Sequence, residues 1–564
     1  MKNIFLIFLL TVFTLTLCAP DNEEISFTEK IRFNQLGYYP GSVKQFLLVD
    51  TEASSFKLLN ADGKVAFSGE MMDNGTWDTS GEKVMLGDFS AFNAPGEYSI
   101  LVDKKLQSMK FVIKEDLYDE ALKAAIKSFY FQRASMSIEE KFGGIYKRAA
   151  GHPDNKCEYH PSSEHSGGTL NSPGGWYDAG DYGKYIVNAS FSVGQMLQFV
   201  EQYPDAVADG TLNIPESGND INDLMDELKY ELDWILTMQD KDGGAYHKLT
   251  AKNFSGFVMP ADYNLERMII GKGTAATLNF AAVLAQASRL YDRYDSDWAA
   301  FALDAAEKAW KWAVLNDNVV YRNPEDVVTG EYGDDDFTDD FYWAAAELYI
   351  TTKNEEYLNN LKKYNQEYNH KLTNSWKFFV KNNGFHSLLN NLASLDTELA
   401  SGLKEEHLAL ADEILAKIDN NPYRIALDRY EWGSNSDILN QAMILCMAHS
   451  LNNEEKYLVG AEQINDYIFG KNATGYCFLT GFGSKKVMFP HHRPSGADGI
   501  EDPVPGFILG GPNHHKQDAN TVEYHSDFPA KSFEDVQDSF ASNEVCINWN
   551  APAVFVLGYL EQVR

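Results

Sequence analysis

The sequence predicts two domains, an all-β sandwich followed by an all-α toroid. With 564 residues, the chain is too long for one ordinary hydrophobic core. Short apolar runs separated by turn signals fill the first part of the chain, and apolar residues at helical spacing dominate from Leu117 onward. Many helices in succession without a coiled-coil heptad repeat fit a closed ring of helices.

Residues 25–114 carry the pattern of an immunoglobulin-like β-sandwich. The apolar run 46–49 is strand-like, the residues 60–63 form a hairpin turn signal, and the strand-like run 97–102 follows a Pro-Gly pair. Several short strands with regular turns are typical of such a sandwich, although the Cys…Trp…Cys core of antibody domains is missing. Since no Pro/Ser/Thr-rich linker follows, we expect the two domains to abut.

Residues 117–564 form the second predicted domain. The predicted helices are 117–133, 184–202, 221–239, 274–291, 298–314, 339–352, 404–418, 437–451, 454–469 and 551–562. Residues 475–540 are mostly irregular, and irregular stretches of that length in a compact domain are usually functional.

Residues 1–19 predict an export signal. Lys2 precedes an apolar run that begins at Ile4 and is too short to span a membrane. The residues before Cys18 resemble a bacterial lipoprotein signal, although Leu17 departs from the small residue usual there. We expect a protein that is secreted or held at the cell surface or in the periplasm, with lipid anchoring through Cys18 left open. No later segment is long and apolar enough to span a bilayer.

The composition restricts the partners. A net charge of −34, from 82 acidic and 48 basic residues, argues against nucleic acid and polyanionic substrates. Aromatic residues make up 13% of the chain, which suits a cleft that stacks flat, neutral ligands. The 5 cysteines are scattered, so a disulfide framework and a zinc cluster are both disfavoured.

The residues 174–185 combine two acids with glycine and aromatic side chains. Asp178 and Asp181 lie three residues apart, so their protonation is coupled. Glycine lets the backbone approach a ligand closely, and the faces of Trp176 and Tyr177 suit sugar rings. Capping of the following helix is the structural alternative, but the density of the motif favours a functional turn.

Glu544 lies in a second aromatic-rich segment near the other end of the chain. Alone, it could be a surface acid at the start of a helix. Its neighbours Asn543 and Asn548 can hold sugar hydroxyls, and Trp549 can stack on a ring. Apolar surroundings keep a carboxyl group protonated near neutrality, as a general acid requires. Acids from distant parts of a chain that meet in an aromatic cleft are what hydrolysis of a glycosidic bond needs.

His491 and His492 form an adjacent pair. Sequence neighbours rarely face one metal ion together, and no HExxH pattern or second cluster with ligand spacing appears. Hydrogen bonding to a substrate or a carboxylate is at least as good an interpretation.

Six motifs in order resemble glycoside hydrolase family 9, the inverting cellulase family. They are Gly175-Trp176-Tyr177-Asp178-Ala179-Gly180-Asp181-Tyr182, Asp466-Tyr467-Ile468-Phe469-Gly470-Lys471-Asn472, Thr480-Gly481-Phe482-Gly483, His491-His492-Arg493-Pro494-Ser495, Gly510-Gly511-Pro512-Asn513 and Asn543-Glu544. The residues 31–38 are similar to the immunoglobulin-like domain that precedes many members. The resemblance covers residues 117–564 and implies a barrel of six helical hairpins, (α/α)6.

The resemblance also implies catalytic roles. Asp181 matches the general base, Asp178 the acid that helps to hold the nucleophilic water, and Glu544 the general acid. His491 matches a histidine that contacts substrate, and Asp535 matches an aspartate that supports the site.

The substrate contacts expected from the resemblance lie at Trp176, Tyr177, Arg493, Trp432 and Trp549. The family pattern usually has Ser, Thr or Ala where this chain has a cysteine at 546, an exchange of one small residue for another.

No cofactor is expected for catalysis, but relatives bind structural calcium near an acid-dense loop. Asp336, Asp339 and Asp340 are the candidate ligands here, with a solvated loop and helix cap as the alternative.

The expected function is hydrolysis of internal β-1,4-glucosidic bonds in cellulose-like β-glucans by an exported monomer. The alternatives are an exo-acting or cellodextrin-trimming relative, a xyloglucan-preferring one, and a non-catalytic glycan-binding protein on the same scaffold. The partner is a β-glucan polysaccharide or oligosaccharide in every case.

Overall fold

The structure is a computed structural model that describes residues 26–367 and 380–564. The predicted export signal at 1–19, with Cys18, lies outside the described residues. Within them, a β-sandwich precedes a helical barrel, which confirms the predicted fold class. In this part of the chain, helices of spanning length fall short of the hydropathy that a membrane requires.

One long strand joins the two layers of the sandwich. The strands are β1 (Ser26–Phe27), β2 (Ile31–Arg32), β3 (Gln45–Val49), β4 (Ser55–Asn60), β5 (Val65–Trp77), β6 (Glu82–Asp88), β7 (Gly96–Val102), β8 (Leu106–Gln107) and β9 (Phe111–Ile113). The first half of β5 pairs with β4 and its second half with β6, with a register shift between Asp73 and Thr76. Phe46 and Phe56 pack edge to face at 4.9 Å in the core between the layers.

Helices dominate the second domain. They are α1 (Asp119–Gln132), α2 (Glu140–Gly143), α3 (Ile186–Gln202), α4 (Asp223–Thr237), α5 (Thr274–Tyr291), α6 (Ser296–Leu315), α7 (Thr338–Thr352), α8 (Glu355–Glu367), α9 (Lys381–Asn390), α10 (Thr397–Asn420), α11 (Ser434–Asn452), α12 (Glu455–Ile468), α13 (Arg493–Ala497), α14 (Phe540–Asn543) and α15 (Ile547–Val563).

The long helices form two concentric rings. The helices α3, α5, α7, α9, α11 and α15 are buried over most of their surface and line the inside. The neighbouring pairs α3–α5, α5–α7, α7–α9, α11–α15 and α15–α3 pack side by side, while α4, α6, α8, α10 and α12 pack outside them. Helices that are apolar all round must be covered on every side, which is why the inner ring needs the outer one.

Sequence patterns missed several elements of this domain. The helices α8 and α9 were not predicted, and α10 begins at Thr397 rather than at 404. A five-stranded sheet inside the helical domain was also missed. Its strands are β10 (Cys157–Tyr159), β11 (Thr169–Leu170), β12 (Lys184–Tyr185), β13 (Tyr246–Thr250) and β14 (Met268–Lys272). Strands of two to five residues are too short to show a period.

The two domains contact each other directly. The Asn34 side chain donates to Asp466 Oδ1 and to the hydroxyl of Tyr118, both at 2.9 Å. The Trp77 ring lies 4.5 Å from that of Tyr423. A buried polar contact of this kind fixes the position of the sandwich on the barrel.

Candidate active site

The turn with Asp178 and Asp181 lies against the segment that carries Glu544. The Ile547 amide donates to the carbonyl oxygen of Asp178 at 2.8 Å. Asp178 is 2% and Asp181 7% exposed, whereas Glu544 is partly exposed. Folding therefore brings together the three acids that the sequence singled out.

Gly180 allows a third segment to approach the same turn. The backbone of His491 passes Gly180 so closely that a Cβ added to Gly180 would lie 2.0 Å from the carbonyl oxygen of His491. The Arg493 amide donates to the Gly180 carbonyl at 3.1 Å, and His491 forms a parallel bridge with Glu544. Glycine is required at this position because any side chain would separate the two segments.

Contacts from the end of α1 and from β12 hold the turn. The Ala134 amide donates to Gly175 O at 2.7 Å, and the Gln132 side chain donates to Ala179 O at 2.9 Å. The buried ammonium of Lys184 donates to the carbonyl oxygen of Gly174 at 2.8 Å. These bonds satisfy backbone carbonyl groups that a buried turn would otherwise leave unpaired.

Asp178 is held by two hydrogen-bond donors. The Tyr332 hydroxyl donates to Oδ2 at 2.6 Å and the Asn188 amide to Oδ1 at 2.5 Å. Burial and the charge of Asp181 raise the pKa of Asp178 to about 7, while the two hydrogen bonds act to lower it. Both donors were missed by sequence reasoning, although Tyr332 lies in the acid-dense loop.

Glu544 is in surroundings that favour its protonated form. Burial and the charge of Asp181 raise the pKa of Glu544 well above its usual range, and the charge of Asp178 adds to this. The charge of Arg493 opposes these effects. A carboxyl group that keeps its proton near neutrality can act as a general acid.

His491 is held in its orientation by a backbone carbonyl group. Its Nδ1 donates to the Gln537 carbonyl at 2.7 Å, which leaves Nε2 as the remaining polar atom. Burial lowers the pKa of His491 to about 4. The rings of Phe257 and Phe540 lie 5.2 and 6.1 Å away, so His491 is part of an aromatic wall.

Asp535 organises the segment around His491. Its carboxylate accepts from the amides of Met488 and Phe489 at 2.9 and 2.8 Å, and Asn543 donates to it at 3.4 Å. Asp535 thus connects Asn543, the residue before Glu544, with the residues that precede His491.

The side chains of Trp176 and Tyr177 face away from the cleft, which corrects the prediction that they contact substrate. Trp176 is 1% exposed and donates from its indole to Glu227 at 2.9 Å. Tyr177 is 0% exposed, and its hydroxyl bonds to His152 at 2.7 Å. Burial of each aromatic ring contributes about 1.5–3 kcal/mol, so the two rings anchor the turn from inside.

Trp549 and Arg493 lie beneath the cleft surface, a second correction to the predicted substrate contacts. Trp549 packs so closely under Gly433 that an added Cβ would lie 2.7 Å from the indole nitrogen. The Arg493 guanidinium donates to Gly180 O at 2.7 Å and to Ser255 O at 3.0 Å. Both side chains therefore support the surface.

Trp432 is available to a ligand. The side chain is 41% exposed, and its ring lies 5.5 Å from that of Phe540. Phe489 and Phe254 are also exposed, at 57% and 47%. Exposed aromatic faces near the three acids suit the apolar faces of sugar rings.

The candidate cation group differs from the predicted one by one residue. Carboxylate oxygens of Asp334, Asp339 and Asp340 lie within 4.8 Å of one another. Asp336 instead accepts from the hydroxyl and amide of Thr338 at 2.7 and 3.1 Å, at the start of α7. Burial and the neighbouring acids raise the pKa values of Asp339 and Asp340 well above their usual range. Crowded oxygen ligands of this kind fit a hard cation such as calcium.

A helical barrel that brings a buried acid pair close to a glutamate of raised pKa fits a hydrolase of glycosidic bonds. Residues 118–557 match the profile of glycosyl hydrolase family 9, and residues 26–106 match the cellulase N-terminal ig-like domain. The chain belongs to glycosyl hydrolase family 9.

The relatives share both domains. A xyloglucan-specific endo-beta-1,4-glucanase of Bacteroides ovatus is 40% identical over 568 residues, which covers 96% of this chain and 95% of that protein. Endoglucanase D of Acetivibrio thermocellus is 34% identical, with coverage of 96% and 84%. A solved structure described as Bacteroides ovatus GH9 has a TM-score of 0.89 at 38% identity, with 95% and 99% of the two chains covered.

Proposed function

We propose that the protein is an inverting endo-β-1,4-glucanase that acts on β-glucan chains. The observation that carries the proposal is the convergence of Asp181 and Asp178 with Glu544, whose pKa is strongly raised. Glu544 donates its proton to the glycosidic oxygen as the C1–O bond breaks. Water held by Asp178 and Asp181 attacks C1 from the opposite face and gives its proton to Asp181. Trp432 stacks on a sugar ring beside this centre.

Product stereochemistry tests this proposal. Hydrolysis of a β-linked glucan is expected to release the α anomer first, as measured by NMR on fresh reaction mixtures. Glu544→Gln and Asp181→Ala should each lower kcat by about 10²–10⁴-fold because each removes one proton-transfer group. Their melting temperatures should stay near that of the wild type. An initial β product would contradict the inverting mechanism.

Xyloglucan is the second candidate substrate, since a relative that is 40% identical over 96% of this chain is named xyloglucan-specific. Timed product profiles on carboxymethyl cellulose, lichenan and xyloglucan discriminate the candidates. Cleavage of xyloglucan alone, at internal positions, would favour that substrate, and release of cellobiose from chain ends would contradict endo action.

We further propose export, directed by residues 1–19, and structural calcium at Asp334, Asp339 and Asp340. Lipid attachment at Cys18 would place the enzyme on a membrane surface. Recovery in the membrane fraction that is lost in Cys18→Ala tests the attachment, and equal recovery of both proteins would exclude it.

A further inference from the structure

Two buried basic side chains on β13 lie next to the active site without a role in the proposed hydrolysis. All five residues of β13 are buried, and His247 and Lys248 are both 0% exposed. Burying a lysine ammonium costs free energy unless hydrogen bonds replace its hydration. What these side chains bind is therefore informative.

Lys248 lies in a cage of oxygen atoms. Its Nζ donates to Asn323 Oδ1 at 2.7 Å, to Gly330 O at 2.8 Å, and to Oγ1 and O of Thr329 at 3.2 and 3.3 Å. We call these atoms the oxygen cage. Burial lowers the pKa of Lys248 to about 7, while the charges of Asp181 and Glu331 act to raise it. In its ammonium form the group has three donors for the cage, so it binds two consecutive backbone carbonyl groups of one loop.

His247 holds the next carbonyl group of the same loop. Its Nε2 donates to Glu331 O at 2.7 Å, and its ring stacks on Tyr321 with a centroid distance of 3.6 Å. The strand β13 therefore fixes the carbonyl groups of three successive residues, 329–331.

The residue that follows these three carbonyl groups is Tyr332. Its hydroxyl donates to Asp178 Oδ2 at 2.6 Å, and its ring packs edge-on against Tyr185 at 4.9 Å. The Tyr332 backbone has a φ of +46°, a conformation that non-glycine residues rarely adopt without support from their surroundings. A loop held at three consecutive carbonyl groups supplies that support.

We infer that Lys248, through the oxygen cage, is a positioning residue that sets the Tyr332 hydroxyl on Asp178 and so orients the attacking water. This inference rests on the water-holding role of Asp178 in the proposed function. Lys248 does not touch the substrate; it acts through the loop 329–332. The expected consequence of its loss is a slower chemical step with substrate affinity retained.

A double-mutant cycle tests the inference. Tyr332→Phe should lower kcat by about 10–100-fold, because one hydrogen bond to a charged group is lost. Lys248→Met keeps the aliphatic stem and should lower kcat in the same direction, with KM changed less than about twofold. The double variant should resemble Tyr332→Phe alone, since both changes break one chain of contacts. Multiplicative losses in the double variant would overturn the inference.

Matched variants separate positioning from a general loss of stability. The side chain of Lys272 on β14 is only 6% exposed, and its ammonium pairs with Asp240 and Asp242 at 3.0 and 2.8 Å. Lys272→Met should lower the melting temperature comparably while kcat stays near the wild-type value. An equal kcat loss in Lys272→Met would contradict the positioning role.

If Lys248→Met does not fold, Thr329→Val removes one cage oxygen and should give a smaller kcat loss that is again absent in the Tyr332→Phe background. Full activity of Thr329→Val, Lys248→Met and Tyr332→Phe, alongside inactive Glu544→Gln, would overturn this inference and leave the proposed function standing.

Discussion

Asp178 is buried and Glu544 partly exposed, and the charge of Asp181 acts to raise the pKa of both carboxyl groups, but their hydrogen-bond partners differ. Asp178 receives hydrogen bonds from Tyr332 and Asn188 that favour its charged form. The negative charges of Asp181 and Asp178 act on Glu544 and favour its protonated form. In the proposed single displacement, this difference separates Glu544 as the acid from Asp178 as a residue that holds water.

The pH profile should report this electrostatic coupling. Asp178→Asn removes a negative charge that helps to raise the pKa of Glu544, so that pKa falls. In the proposed mechanism, activity requires protonated Glu544 and is lost as pH rises through its pKa. The alkaline limb of kcat/KM should therefore move to lower pH in the residual activity of Asp178→Asn. Asp412→Asn, at an exposed surface ion pair, should leave the limb unchanged, and an unmoved limb in both variants would contradict the coupling.

The three acids could be singled out from the sequence because each lies in a motif rich in aromatic and polar residues. The sequence does not show, however, which way the neighbouring side chains point. Trp176 and Tyr177 are adjacent to Asp178 and yet anchor the turn from inside. Tyr332 was missed because its contact with Asp178 arises only when distant segments fold together.

The start of α7 concentrates negative charge in one element. Asp339 and Asp340 lie in its first turn, where the helix dipole favours acids, but both are buried beside Asp334. The amide of Asn279 donates to Asp340, which offsets only part of the repulsion. A bound cation would balance the remaining charge.

Calcium should stabilise the protein through this element. At about 100 times its Kd, calcium is expected to add about 2.7 kcal/mol to the free energy of unfolding. Calorimetry with and without a chelator measures the effect. Asp340→Asn should abolish the response, whereas Asp336→Asn should retain it because the Asp336 carboxylate accepts from Thr338 and is not part of the group formed by Asp334, Asp339 and Asp340. An unchanged melting temperature after chelation of the wild type would exclude the site.

Long helices with regularly spaced apolar residues were predicted from the sequence, whereas α9 and β13 were not. Both are short, at 10 and 5 residues, and give too few repeats to establish a period, whereas the similarly buried α5 has 18 residues.

The whole molecule depends on the contact between sandwich and barrel. Asn34 lies between β2 and β3 and reaches Asp466 in α12 and Tyr118 just before α1. Lys531, which lies in the same irregular segment as Asp535, pairs with Glu82 of the sandwich at 2.8 Å. The sandwich thereby supports the loops that carry the active site.

Loss of this contact should lower global stability. Asn34→Ala removes the buried donor to Asp466 Oδ1, while Lys471 still donates to Oδ2 at 3.0 Å, and should reduce the free energy of unfolding by about 1.5–3 kcal/mol. Asn60→Ala, at an exposed hairpin in the same domain, should cost less than about 1 kcal/mol. Chemical denaturation measures both variants, and equal losses would contradict a special role of the interface.

The left-handed backbone of Tyr332 sets a limit on how far this enzyme can be improved. Only glycine adopts a φ of +46° freely, and another residue there costs roughly 1–3 kcal/mol. Glycine, however, has no phenol to offer the neighbouring acid. Selection for a more heat-resistant scaffold and selection for faster turnover therefore oppose each other at this one position.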